Sequence, residues 1–138
     1  DYKAEPSLTK ALAAAAPEGI DVYFDNVGGE HLQAALAVAN KFARFALCGM
    51  ISVYNSTTPS VAPRNLMQAV IKNIRMQGFI VMNYSHLEEQ FLRDVTAWYK
   101  DGKLTLAETV YEGIDHSLEA LFGLFSGENL GRMLVKLS

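Results

Sequence analysis

The sequence has 138 residues, 50% of them hydrophobic: enough for one domain with a substantial core, or for parts of two, but not for two full-sized domains. A formal net charge of −3 with 20% charged residues provides no basic field of the kind that nucleic acid or an anionic membrane requires, and nucleic acid is excluded as a partner. The single cysteine, Cys48, has no partner for an internal disulfide, and His31, His86 and His116 lack metal-ligand spacing, so the expectation is a reducing, cytoplasmic setting and no metal.

In chain order, Pro6 to Ala16 has helical spacing, with Ser7 or Thr9 available as caps and Pro17-Glu18-Gly19 as the stop. Ile20 to Phe24 is rich in β-branched and aromatic residues and predicts a strand that ends in the turn Asp25-Asn26-Val27-Gly28-Gly29. Glu30 to about Asn40 returns to helical spacing through Leu32, Ala35, Leu36 and Ala39. A nearly continuous apolar strand then runs from Phe42 to Gly49.

A loop from Met50 to Arg64 precedes a helix with the stripe Leu66, Val70, Ile71 and Ile74, and then a strand over Met76 to Met82. Further on, the pattern predicts a helix capped by Ser85, with Leu87, Phe91, Val95 and Trp98 on one face and Asp101-Gly102 as its stop. A strand over 109–112, a helix over 115–125 and a strand over 132–137 complete the chain. Alternating strands and helices point to an α/β fold with a doubly wound parallel sheet covered on both faces. A division near Tyr84 separates residues 1–84 from 85–138.

Two stretches stand where open α/β sheets bind ligands, at strand carboxyl ends. The first, Asp25 to Gly29, reads on spacing alone as an ordinary strand-to-helix turn. The alternative is a turn whose glycines let backbone approach a ligand, with Asn26 offering hydrogen bonds. The second, Cys48 to Asn55, would open onto the same crevice. Gly49 permits close approach there, Ser52 and Asn55 can hydrogen-bond, and the Tyr54 hydroxyl can donate and accept. By pattern alone, Cys48 is a small buried filler and Tyr54 a loop anchor. Glu88, Glu89 and Asp94 form a solvated helix face, and Gly-x-Ser-x-Gly, P-loop and Gly-x-Gly-x-x-Gly motifs are all missing.

Taken together and in order, Val22–Gly29, Cys48–Asn55, Arg64-Asn65-Leu66 with Arg75–Phe79, and Leu121–Gly131 resemble one family over essentially the whole chain. It is the zinc-independent branch of the medium-chain dehydrogenases/reductases, the group of leukotriene B4 12-hydroxydehydrogenase/prostaglandin reductase and alkenal double-bond reductases. The resemblance implies a Rossmann domain packed on a GroES-like catalytic domain, with NADP(H) between them. The reaction it implies is hydride transfer to the β-carbon of an α,β-unsaturated aldehyde or ketone, with no metal.

Carried over by position, Tyr2 is similar to the tyrosine of the family's Asn-Tyr-Lys motif near the adenosine phosphate, where this chain has Asp1 for Asn. Asn26 matches a cofactor-contacting asparagine. Cys48, Gly49, Met50, Ile51, Ser52, Val53 and Tyr54 match the loop along the nicotinamide half, with Tyr54 as the catalytic candidate beside the substrate. Phe79, Ile80 and Val81 match a strand lining the cofactor, and Asn129 matches a cofactor-contacting asparagine near the C-terminus. Val53 stands where many members carry Gln or Thr, which bears on substrate preference.

The resemblance further implies that residues 1–84 are the C-terminal portion of the Rossmann domain and that 85–138 join it to the catalytic domain. The glycine-rich turn and the catalytic domain have no counterpart in these residues, so the expectation is a fragment that is inactive on its own. Alternatives are a quinone reductase, a synthase reductase module, or a non-catalytic self-associating module that exposes Phe79, Trp98, Phe122 and Phe125. Under the family reading these four residues are core or interdomain packing, and the whole protein is a homodimer or otherwise self-associates.

Overall fold

The structure, a computed structural model, describes residues 2–54, 56–58 and 63–137, with Lys3 described by its backbone alone. The chain divides into two units, Asp1–Ser85 and His86–Ser138.

The first unit opens with α1, Leu8–Ala15, which starts at Ser7, whose Oγ accepts the Lys10 N–H at 3.4 Å. It continues through β1 (Ile20–Asp25), α2 (Gly29–Val38), β2 (Ala39–Leu47), α3 (Met67–Ile71) and β3 (Arg75–Gly78). The three strands form one parallel sheet in the order β1-β2-β3, the Rossmann-type α/β arrangement.

One row of this sheet, Tyr23 beside Phe45 beside Met76, faces the core. Leu32, Ala35 and Leu36 of α2 close on it together with Ala39 and Ala43, and the short alanines let the helix lie near the strands. Tyr23 meets Phe45 edge-on with ring centroids 5.1 Å apart. Burial of side chains such as Phe45 and Leu36 contributes about 1.5–3 kcal/mol each.

Several expected boundaries shift. The apolar spacing of α2 runs on into Ala39, yet Ala39 already pairs with Ile20, so β2 begins three residues earlier than expected. A register shift follows, in which Phe42 adopts φ 64° and gives its N–H to the Lys72 carbonyl at 2.7 Å. β3 ends at Gly78, so Phe79, Ile80 and Val81 follow the strand instead of forming it. Of the expected stripe, Leu66, Val70 and Ile71 are exposed, whereas Ile74, just past α3, packs on the core as expected, together with Ala69. The segment before α3 is pinned to α2 by Arg64 N–H to Gln33 Oε1 and by Asn65 Nδ2 to the Gln33 carbonyl, which sets the rotation of so short a helix.

Coverage of both sheet faces is not what this unit shows. Val22, Phe24, Arg44, Arg75 and Gln77 are exposed on the face opposite α2, where Gln77 Nε2 donates to the Tyr84 hydroxyl at 3.4 Å. The polar residues alternating with Phe45 and Met76 already mark a sheet with one apolar face in this segment.

A 3₁₀ stretch over Val81–Leu87, broken at Tyr84, ends the first unit and leads into α4, Glu88–Lys100, of the second. Leu87, not Ser85, stands at the helix start, and it makes no side-chain cap. Next come β4 (Glu108–Glu112), α5 (Ser117–Ser126) and β5 (Arg132–Lys136), with β4 and β5 paired in parallel and Gly127 ending α5 in the left-handed conformation. Ala120 and Gly123 of α5 are buried, whereas Trp98, Phe122 and Phe125 are at least half exposed, so of the two expected placements, core or interdomain packing, they are not in the core of this chain; Phe79, in the first unit, is half-buried. Among the described residues, no helix is long and apolar enough to cross a membrane.

Candidate functional site

Because the sheet is parallel, all three strands release their chains at one edge. Asp25 pairs with Leu47 and Leu47 with Gly78, so Asn26, Cys48 and Phe79 leave the sheet at the same level. Three of the sequence-predicted stretches, far apart in the chain, therefore converge.

The first loop is shaped from below by Asp25. Its carboxylate is 1% exposed, and Oδ1 accepts the Val27 N–H at 2.8 Å and the Gly28 N–H at 2.9 Å. Gly28 then turns with φ 71°, and a Cβ there would come within 2.9 Å of Met50 Cγ, so the position demands glycine on both counts. Burial, and then the neighbouring Asp25 carboxylate, push the Tyr23 phenol above its ordinary value and keep it protonated. Asn26 is exposed, and its side-chain amide makes no hydrogen bond among the described residues.

The second loop hangs on the first. Asp25 O accepts the Cys48 N–H at 2.8 Å and the Gly49 N–H at 3.1 Å, Asn26 O accepts the Ile51 N–H at 3.0 Å, and Val27 O accepts both the Ser52 N–H at 3.1 Å and the Ser52 hydroxyl at 2.5 Å. A 3₁₀ turn over Ile51–Val53 brings Tyr54 back over the loop, where its hydroxyl accepts the Met50 N–H at 3.4 Å. A Cβ on Gly49 would lie 3.0 Å from that hydroxyl, so the missing side chain is what admits Tyr54. With Met50 as donor, the Tyr54 O–H remains available to donate. The backbone N–H groups from Cys48 to Ser52 are thus all engaged, while the Cys48 and Gly49 carbonyls accept no hydrogen bond among the described residues. Such a loop suits a ligand that donates, for example through a carboxamide.

A concavity of about 510 Å³ opens beside this loop, lined by the 47–50 stretch, by Gly78, Phe79 and Ile80, and by Asn83. A separate concavity of about 470 Å³ lies on the open sheet face, where Phe79 stacks edge-on with Phe24 and Tyr84. The first of the two stands at the strand carboxyl ends and joins the predicted residues, which makes it the candidate site.

Tyr2 lies at the β1 side of the same edge, with its ring 4.7 Å from His31 in the first turn of α2. Val53 closes the 3₁₀ turn through its N–H to the Met50 carbonyl, Ile51 is exposed, and Val81, also exposed, begins the stretch after Ile80. Asn55 lies outside the described residues. Asn129 belongs to the second unit, where its Nδ2 donates to the Gly131 carbonyl at 2.5 Å. Sequence reasoning missed Asn83, which falls in a segment read as the end of a strand and the lead-in to a helix. It also missed Asp25 as a buried group, for which residue type and position gave no signal. Among the described residues, no cluster of three or more His, Cys, Asp or Glu side chains is arranged to hold a metal ion.

Comparison with known proteins agrees with this geometry. Residues 1–97 match the family described as zinc-binding dehydrogenase. The chain is 43% identical over 137 residues to prostaglandin reductase 1 of Bos taurus, covering 99% of this chain and 42% of that protein. It is 44% identical over 139 residues to the NADP(+)-dependent 2-alkenal reductase of Nicotiana tabacum, covering 100% of this chain and 40% of that protein. Among solved structures, CurA of Vibrio vulnificus in complex with NADPH superposes with a TM-score of 0.83 at 36% identity, over 98% of this chain and 42% of that one. The chain therefore spans about two fifths of the length of the relatives it matches.

Proposed function

This chain belongs to the zinc-binding dehydrogenase family, and on that premise we propose that the protein carrying it is an NADPH-dependent oxidoreductase that reduces the C=C bond of α,β-unsaturated aldehydes and ketones. The observation that carries the reading is the convergence of Asn26, the Cys48–Tyr54 loop and Phe79–Ile80 at one sheet edge beside a cavity, in a chain 44% identical to a 2-alkenal reductase. The first unit is read as the Rossmann portion and the second as the segment joining it to a catalytic domain.

NADP(H) fits the donor and acceptor set at this edge and, when bound, supplies the hydride that reaches the substrate β-carbon. The unspent Cys48 and Gly49 carbonyls would receive its carboxamide, Asn26 would offer an amide from the β1 side, and Phe79 and Ile80 would shield the ring from water. Tyr2 would contact the adenosine phosphate half, and Asn129 would add a polar contact. Tyr54 holds its O–H for the enolate oxygen that develops as the β-carbon is reduced, and the carbonyl-side charge is then quenched by protonation at the α-carbon.

Tyr54→Phe tests this assignment. In the complete protein, kcat for enal reduction is expected to fall about 10²-fold, with NADPH affinity unchanged in a fluorescence titration. Undiminished kcat would remove Tyr54 from the chemistry. The 138 residues alone contain no glycine-rich dinucleotide fingerprint, so as an isolated chain they are proposed to bind NADPH weakly and to turn over no substrate.

A further inference from the structure

We propose that Asp25 is the positioning residue for the cofactor-facing loop. The role rests on the NADPH reading above for its purpose, but not for its geometry. A carboxylate at 1% exposure is costly, and here one oxygen, Oδ2, is buried without a hydrogen-bond partner among the described residues. The carboxylate also interacts with the neighbouring Tyr23 phenol, but the bonds by which it shapes backbone are those of Oδ1.

By taking the Val27 and Gly28 N–H groups, Oδ1 folds the 25–28 backbone into a fixed turn. That turn leaves the Asp25, Asn26 and Val27 carbonyls to receive all five hydrogen bonds that hold residues 48–52. The loop carrying Cys48, Gly49, Met50 and Ser52 makes these bonds to no other part of the first unit. Its placement beside the cavity is therefore inherited from Asp25 through one turn of backbone, and the phenol of Tyr23, kept protonated against the same carboxylate, adds no second charge to the site.

Hydrogen exchange resolved by residue provides the test, because it reads the loop whether or not the protein turns over. Asp25→Ala is expected to speed exchange of the Gly49, Ile51 and Ser52 amides by at least about fivefold, the scale of one lost hydrogen bond, while the Phe45 amide in β2 stays protected. Asp25→Asn, which keeps the accepting oxygen, is expected to restore most of that protection. Should Asp25→Ala fail to fold, Asp25→Asn carries the test by itself: its retained acceptor predicts 48–52 amides protected nearly as in the parent. A folded Asp25→Ala protein whose 48–52 amides exchange as in the parent, or a folded Asp25→Asn protein whose 48–52 amides are as loose as an unanchored loop, would overturn the proposal. In the complete protein the same Asp25→Ala change is expected to raise the KM for NADPH more than it lowers kcat. Loosened 48–52 amides in a protein that binds no NADPH would support the positioning role and sink only the cofactor reading. NADPH binding with an unmoved loop would sink only the role of Asp25.

Discussion

The two units of this chain bury their apolar residues very differently. In Asp1–Ser85, a parallel sheet and α2 enclose Phe45 and Leu36 completely. Among the described residues of His86–Ser138, only Ala120 and Gly123 are buried, and Phe122 and Phe125 stand 66% and 70% exposed. The contrast shows where the segment's own stability resides and why the candidate site belongs to the first unit. Loops held to within a hydrogen bond need a rigid sheet edge beneath them, and a two-stranded sheet with two largely exposed helices provides little rigidity by itself.

Truncating both sides of that contrast gives the largest expected effect. Phe45→Ala should cost about 3–5 kcal/mol in urea unfolding, whereas Phe122→Ala should change stability by less than about 0.5 kcal/mol. Equal losses would mean that the second unit buries its aromatics as deeply as the first. A smaller effect sharpens the role of the loops. Gly28→Ala places a side chain at φ 71° and against Met50, and a loss of more than about 1 kcal/mol is expected from the same unfolding measurement. A neutral result would show that the turn can rearrange.

The smallest effect concerns pH. The folded Tyr23 phenol titrates above its unfolded value of about 10, so the stability tied to its neutral form is full below that pH and is lost as pH rises beyond it. Tyr23→Phe should therefore lose less stability than the parent between neutral pH and alkaline conditions above about pH 10, as read by circular dichroism during alkaline titration. Parallel losses would place the Tyr23 hydroxyl in water.

Much of the first unit was legible in the sequence because its signals are local. A strand rich in β-branched residues, a turn with paired glycines and an alanine-rich amphipathic helix each declare themselves, and parallel pairing then forces their loops to one edge. The rest depends on tertiary pairing. The start of β2 was hidden because Ala39 suits a helix and a strand equally well, and only its pairing with Ile20 decides between them. The α3 stripe misled because two side-chain hydrogen bonds to Gln33, not apolar periodicity, set the orientation of a five-residue helix. Val81 was read into a strand because Phe79–Met82 is apolar, yet β3 stops where its pairing with Leu47 ends. Within the site, the glycines, Tyr54 and Ser52 could be read from residue type. Asp25 could not, since nothing in a sequence distinguishes a surface acid at a strand end from one folded under its own turn.

The central claim is that the edge formed by Asn26, Cys48–Tyr54 and Phe79–Ile80 serves NADPH-dependent reduction of activated double bonds. The most direct test incubates the complete protein with NADPH and a 2-alkenal, following nicotinamide absorbance while the organic product is identified by mass spectrometry. Loss of NADPH in step with formation of the saturated aldehyde is the expected result. A folded protein that binds NADPH yet leaves every enal and enone tested unreduced would contradict the claim.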